Sequence, residues 1–483
     1  MTEPLSPAEI VAAGRGLPET FACRLALTDP SGNAATDVVL ICDRVLRLLP
    51  GRRLTARARL DERPVLLKLF LGAGAARYRS REERGCRLIA DAGVATPGLV
   101  GRVAAPAEET AAVPAEGLLF DYLDGAEPLS PDDDAGFEAA AAALARLHDA
   151  GALHRDPHPE NFLFAAGRAA PVHLVDGDGV RPMRGRVGRR RGLSNLALLC
   201  AQRSPAADDG LQRVLEAYAG ARGWAPETLA ATTQRLACLT ASQRRARVRA
   251  YLGKTLRDCS EFRCTSSWRR RFVCLRSVAD GAFDRFADDP EGWLQGAALI
   301  KGGGSATVTR GRLGDRPVVV KRYNLKDAGQ AVRRALRPRP RYRLAWQNGH
   351  RLWFLGLPTA RPLALLEHRF GPLRGRAYLV MEDLGDRDLQ AEIAAEGLSE
   401  RRLAQLVELF RALDRAGLRH GDTKASNFLI QRDAVHLVDL DALAPGRRGQ
   451  VGDRRRFLDN FAGQPAVRQR IERAFRAAGL ALE

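Results

Sequence analysis

Two loops in this chain carry the same reactive side chains at the same spacing. His154, Asp156 and Asn161 stand within ALHRDPHPENFLF, and His420, Asp422 and Asn427 stand within LRHGDTKASNFLI. An apolar run follows each loop and closes on aspartate, VHLVDGD at residues 172–178 and VHLVDLD at 435–441. Upstream of each, a β-prone run carries a lysine, Lys68 in RPVLLKLF and Lys321 in RPVVVKRY. These are the groups that phosphoryl transfer from ATP requires, because that reaction asks for positioning and charge neutralisation rather than covalent chemistry. On this reading Lys68 and Lys321 steady the α- and β-phosphates, while Asp156 and Asp422 accept the proton of the attacking hydroxyl. Asn161 with Asp176, and Asn427 with Asp439, hold Mg²⁺ between the phosphates. Asp176 and Asp439 are preferred over Asp178 and Asp441 as metal ligands because they directly follow the apolar strand.

The elements that must position these groups also recur. From Asp156 to Asp422 and from Asn161 to Asn427 the offset is 266, and from Asp176 to Asp439 it is 263. GCRLIADAGVATP at 85–97 resembles GHRLWFLGLPTARP at 349–362, a helix-like segment closing on glycine and proline. A repeat of this length means two copies of one domain. The expected fold is α+β, with two tandem protein-kinase-like domains, each a small β-rich N-lobe and a mostly helical C-lobe. The first spans 20–265 (N-lobe about 36–123, C-lobe about 124–265). A linker covers 266–289, and the second domain spans 290–483 (N-lobe about 290–384, C-lobe about 385–483).

The copies differ around the phosphates. Gly302, Gly303, Gly304 and Ser305 precede a strand-like run in the second copy, where their backbone N–H groups can cradle phosphate, whereas the first copy offers only Gly51. Glu82 or Glu83 can hold Lys68 from the following helix, but Trp346 and Gln347 occupy the matching places in the second copy.

Composition narrows the class. The 483 residues hold 76 Lys+Arg and 57 Asp+Glu, a net charge of +19, and 45% are hydrophobic, which excludes a disordered or fibrous chain. Only six residues are lysine, so the two in matching runs stand out. The start carries acidic residues and no apolar run, unlike a secretory signal. Eight cysteines without a C-x-x-C pair read as reduced thiols, and Cys259, Cys264 and Cys274 lack zinc-like spacing. Residues 301–350 carry 13 basic and 2 acidic side chains, with RRALRPRPRYR at 333–343. An anionic membrane surface would attract such a stretch. The basic run at 269–271 has no nucleic-acid-binding motif around it, so no nucleic acid is expected.

Only 44 residues follow Asp439, too few for a peptide-docking platform, so a small-molecule or sugar acceptor is favoured. The sequence resembles the Kdo/WaaP lipopolysaccharide kinase family, in tandem. The resemblance rests on KLF at Lys68, GVATP at 93–97, GLPT at 356–359, the His-x-Asp loops and the paired aspartates DGD and DLD. It implies ATP, Mg²⁺ and a glycolipid acceptor, a heptose or Kdo hydroxyl of the lipopolysaccharide inner core. It also implies a cytoplasmic protein peripheral to the inner membrane. Two alternatives stay open: one copy is a pseudokinase scaffold, or the chain is a small-molecule phosphotransferase or compact bacterial protein kinase.

Overall fold

A computed structural model describes residues 3–33, 35–108, 113–165, 171–225, 227, 229–324, 340–446 and 449–483. The chain divides into one unit of residues 1–202 and 210–240 and another of 203–209 and 241–483.

In the first unit, alternation of small apolar and basic residues builds the strands. Leu54, Ala56 and Ala58 of Arg53–Leu60 point inward, while Arg57 and Arg59 point out. Six strands close into a barrel in the order Phe21–Thr28, Thr36–Leu49, Arg53–Leu60, Arg63–Leu71, Ala115–Asp121, Leu99–Ala104, and the last pairs back to the first. Closure leaves no sheet edge exposed. The β-rich part therefore begins before residue 36. A helix at Pro7–Ala13, held by a Ser6/Glu9 capping box, adds Ile10 to the barrel core. The helical part packs Phe137, Leu144, Leu147, Leu196 and Tyr218 around the short strands Phe162–Phe164 and Val172–Leu174.

The second unit has a seven-stranded sheet in the order Phe262–Ser266, Arg270–Leu275, Pro362–Phe370, Leu373–Glu382, Arg316–Tyr323, Ala306–Leu313, Ala298–Lys301. Its helical part is built on stacked and tilted aromatics, with Phe410, Phe428, Phe457 and Phe475 all buried. Residues 266–289 are not a linker. The hairpin Phe262–Ser266/Arg270–Leu275 supplies two strands of this sheet, and a helix capped by Asp280 follows at Gly281–Asp288. The arginines at 269–271 obscure the strand in the sequence, yet Phe272, Val273, Cys274 and Leu275 behind them are buried. The stretch 241–265 likewise belongs to the second unit rather than finishing the first.

Among the described residues, no helix is long and apolar enough to cross a membrane. Nor does any group of three or more His, Cys, Asp or Glu side chains there gather as a metal cluster, and Cys259, Cys264 and Cys274 are free thiols.

Candidate functional site

In the first unit, Lys68 lies on Arg63–Leu71 and Glu82 on the helix Ala75–Asp91. Their side chains form a buried ion pair. The Glu82 carboxylate also accepts the backbone N–H groups of Gly177 (3.1 Å) and Asp178 (3.0 Å), just after Asp176. One carboxylate thus ties the lysine strand to the aspartate loop. Two glycines permit the approach: a Cβ on Gly85 would stand 1.8 Å from the Gly177 carbonyl oxygen, and one on Gly177 would stand 2.3 Å from that of Glu82. Glu83 does not face Lys68. It binds Arg102 at 2.6 Å and Arg79 at 2.9 Å, so of the two candidate carboxylates only Glu82 serves the lysine.

The loop follows from local hydrogen bonds. His154 is buried and its Nδ1 accepts the Asp156 N–H (3.3 Å), while Asn161 Nδ2 donates to the Asp156 carbonyl (3.1 Å) and the Val175 N–H donates to the Asn161 carbonyl (2.9 Å). The loop aspartate, the asparagine and the strand ending on Asp176 are thereby held together. Asp156 is exposed. Asp176 adopts φ 67° and ψ 63°, a left-handed conformation that costs a non-glycine residue about 1–3 kcal/mol and persists only where the surroundings enforce it.

The second unit repeats this pattern with different numbers. Asp422 N–H donates to His420 Nδ1 (3.3 Å), Asn427 Nδ2 donates to the Asp422 carbonyl (2.9 Å), and Val438 N–H donates to the Asn427 carbonyl (3.0 Å). Asp439 has φ 58° and ψ 59°. The loop is braced by Asp453, whose carboxylate accepts the N–H groups of His420 (2.5 Å) and Gly421 (3.1 Å). The repeat gives no signal for this brace, because residues 183–200 of the first copy hold no aspartate.

Around the lysine the units part company. Lys321 Nζ donates to Asp439 Oδ1 (2.7 Å) and lies 3.1 Å from Asp441 Oδ2. Asp441 also accepts from the Tyr323 hydroxyl (2.7 Å) and pairs with Arg341 (3.0 Å). The matching helix, Arg341–Phe354, contributes Asn348 instead of a carboxylate, and Asn348 Nδ2 donates to the carbonyls of Leu440 (2.9 Å) and Leu443 (2.7 Å). Trp346 is fully buried. Gln347 offers no carboxylate.

Gly302, Gly303, Gly304 and Ser305 form the exposed turn between Ala298–Lys301 and Ala306–Leu313, in the hairpin whose Val308 stands opposite Lys321. Asn324 Nδ2 donates to the Gly303 carbonyl at 2.8 Å. In the first unit the corresponding turn contains Gly51, at φ 66°. Arg53 follows it, stacked over Phe70, with its guanidinium 3.8 Å from Asp176 Oδ1. Only the strand register, which sets Arg53 opposite Phe70, brings this arginine to the site, and no spacing within the chain signals it.

Burial penalises the Lys68 ammonium, but the Glu82 and Asp176 carboxylates outweigh it and raise its pKa above the ordinary lysine value. Burial likewise opposes ionisation of Glu82, and Lys68 overcomes it and keeps the carboxyl below its usual range. Asp439 is also held low, with Lys321 outweighing its partial burial. Burial pushes His154 and His420 below the ordinary histidine value, which weakens both as proton acceptors, and each ring instead braces its loop by accepting the aspartate N–H at Nδ1.

The donor set fits Mg²⁺ in the first unit. Asp176 Oδ1 is buried without a hydrogen-bond partner, and an Asp/Asn oxygen pair suits an ion that keeps waters and takes its remaining ligands from phosphates. In the second unit, Lys321 occupies Asp439 Oδ1, so the same use of Asp439 requires that ammonium to move. Of the basic stretch 333–343, residues up to 339 lie outside the described residues. Arg341 and Arg343 turn to Asp441 and the buried Glu367.

The model of the lipopolysaccharide kinase (Kdo/WaaP) family matches residues 302–469, within the second unit, where it bears out the resemblance read from the motifs. A solved structure of WaaP in complex with acyl carrier protein is 22% identical, covering 43% of this chain and 88% of its own, with a TM-score of 0.32. The microcompartment-associated aminopropanol kinase is 14% identical, covering 44% of this chain and 85% of its own, with a TM-score of 0.33. No curated protein matches the chain.

Proposed function

We propose that this chain is an ATP-dependent kinase of two tandem kinase-like domains. It phosphorylates a heptose or Kdo hydroxyl of the lipopolysaccharide inner core at the cytoplasmic face of the inner membrane. The observation that carries the reading is the Glu82 latch, which joins Lys68 to the backbone after Asp176. In the first unit Lys68 meets the α- and β-phosphates and Asp156 takes the acceptor hydroxyl proton. Asn161 and Asp176 would hold Mg²⁺, which neutralises charge on the transferring group. The family match over 302–469 supports the sugar acceptor. Incubating the purified protein with Mg-ATP and core oligosaccharides, and weighing the products by mass spectrometry, tests this: a gain of one phosphate is expected, and its absence from folded protein contradicts the reading.

A second reading concerns the division of labour. The pairing of Lys321 with Asp439 and Asp441, without a helix carboxylate, favours the second unit as an acceptor-binding or scaffolding copy. Asp422, Asn427 and the glycine turn at 302–305 would then act only if Lys321 is released.

A further inference from the structure

A cavity of about 570 Å³ in the first unit is lined mostly by small and apolar residues, five of them alanines, but nothing identifies an occupant. A second cavity in that unit, of about 340 Å³, is lined by Arg77, Arg81, Arg84, Arg155, Val180, Arg181 and Pro182. Arg77, Arg81 and Arg84 follow the i, i+4, i+7 spacing that puts side chains on one face of the helix Ala75–Asp91. Arg155 lies between His154 and Asp156, and Arg181 comes from the strand Val180–Pro182 that pairs with Ala152–His154. Three separate segments thus direct guanidinium groups into one small space.

That charge is poorly compensated. Arg81 pairs with Asp178 at 2.8 Å, and Arg181 donates to the carbonyls of Asp178 (2.7 Å) and Val180 (2.8 Å). Arg77, Arg84 and Arg155 are exposed and pair with no carboxylate among the described residues. Burial and then repulsion from Arg81 push Arg181 below the ordinary arginine value, with Arg155 and Arg84 adding to it. The chain's arginine bias does not account for the cluster. At the matching repeat positions Gly421 replaces Arg155, Ala444 replaces Arg181, Ala345 replaces Arg81 and Asn348 replaces Arg84; only Arg77 is matched by an arginine, Arg341, which pairs with Asp441.

Guanidinium forks match phosphate oxygens bidentately and remain charged at any working pH. Asp156, the proposed base, directly follows Arg155 in the chain. We propose that this pocket is an oxyanion site that takes a phosphate monoester carried by the acceptor. The assignment to the acceptor rests on the proposed function, whereas binding of phosphate by the pocket does not.

The test has two arms. In the first, inorganic phosphate is titrated calorimetrically into the full chain, with a non-hydrolysable ATP analogue and Mg²⁺ filling the nucleotide site. Saturable binding is expected, at least about tenfold weaker in Arg77→Ala/Arg84→Ala. No binding, or equal binding by both proteins, overturns the site. In the second, the same variant is assayed on phosphorylated and enzymatically dephosphorylated core acceptors. A rise in KM larger for the phosphorylated acceptor supports the assignment, and an equal change for both overturns it. If phosphate binding behaves as expected while the wild type phosphorylates neither acceptor, the proposed function fails and the oxyanion site stands.

Discussion

The Nζ of Lys321 lies 2.7 Å from Oδ1 of Asp439, in the place where the first unit leaves Asp176 Oδ1 without a hydrogen-bond partner. The two lysines are therefore held by different carboxylates, Lys68 by Glu82 and Lys321 by the strand-end aspartates. A cation at Asp439 must compete with Lys321. Lys321→Met is expected to tighten Mg²⁺ binding to the second unit by about fivefold, equivalent to about 1 kcal/mol, because Lys321 is buried while Asp439 stays partly exposed. Mg²⁺ titration calorimetry on an Asp176→Asn background isolates the effect, and unchanged affinity would contradict the competition.

Glu82 has no access to water and satisfies three donors from two segments. Removing it leaves the Lys68 ammonium buried without its partner, which typically costs about 3–5 kcal/mol. Glu82→Ala should lower the thermal midpoint accordingly. Glu83→Ala, which removes a partner of the exposed Arg87 and half-buried Arg102, should cost less. Equal losses would show that the latch is not special.

Gly85 and Gly177 let the helix and the aspartate loop touch backbone to backbone. An alanine at either position forces them apart, at a cost of about 1–3 kcal/mol. Because the displaced contact carries the Glu82 latch, Gly85→Ala should also raise KM for ATP. A Gly452→Ala control, at an exposed helical position where a Cβ meets nothing within 4 Å, should leave KM unchanged and should not lower stability, helix propensity instead favouring alanine by up to about 1 kcal/mol.

Stability should fall on mild acidification. His148 is pushed down to about 4 and His350 to about 3, in both cases chiefly by burial, and burial lowers His154 and His420 as well. Below the unfolded histidine pKa of about 6.5 the unfolded chain binds protons that the folded chain refuses. Each group then removes up to about 1.4 kcal/mol per pH unit until its folded pKa is reached. Denaturant midpoints at pH 7.5, 6.0 and 5.0 should drop in that order, while midpoints at pH 7.5 and 8.5 should agree as far as histidine is concerned. A flat profile from 7.5 to 5.0 would contradict neutral burial.

Much of the site was legible because it depends on residue type at short range. His154, Asp156, Asn161 and Asp176 are joined by hydrogen bonds within one loop and its following strand, so their spacing carried the information. The same holds for His420 to Asp439. What the sequence hid depends on contacts distant in the chain. The choice of Glu82 over Glu83 turns on helix rotation toward Gly177, 95 residues away. Arg53 reaches Asp176 only through the register of the hairpin it opens, and the barrel closure depends on pairing of Leu27 with Val103. The hairpin at 262–275 is hard to read from sequence because Arg269, Arg270 and Arg271 crowd its turn and the start of its second strand, ahead of the apolar run Phe272–Leu275. Its assignment is fixed by pairing with Pro362–Phe370, nearly 100 residues on.

The most direct test of the account pairs Asp156→Asn with Asp422→Asn, each assayed for transfer from Mg-ATP to core oligosaccharide. Loss of a positioned base typically lowers turnover by about 10²–10⁴. The account predicts that loss for Asp156→Asn and near-normal turnover for Asp422→Asn. Loss from Asp422→Asn with retention by Asp156→Asn would contradict it.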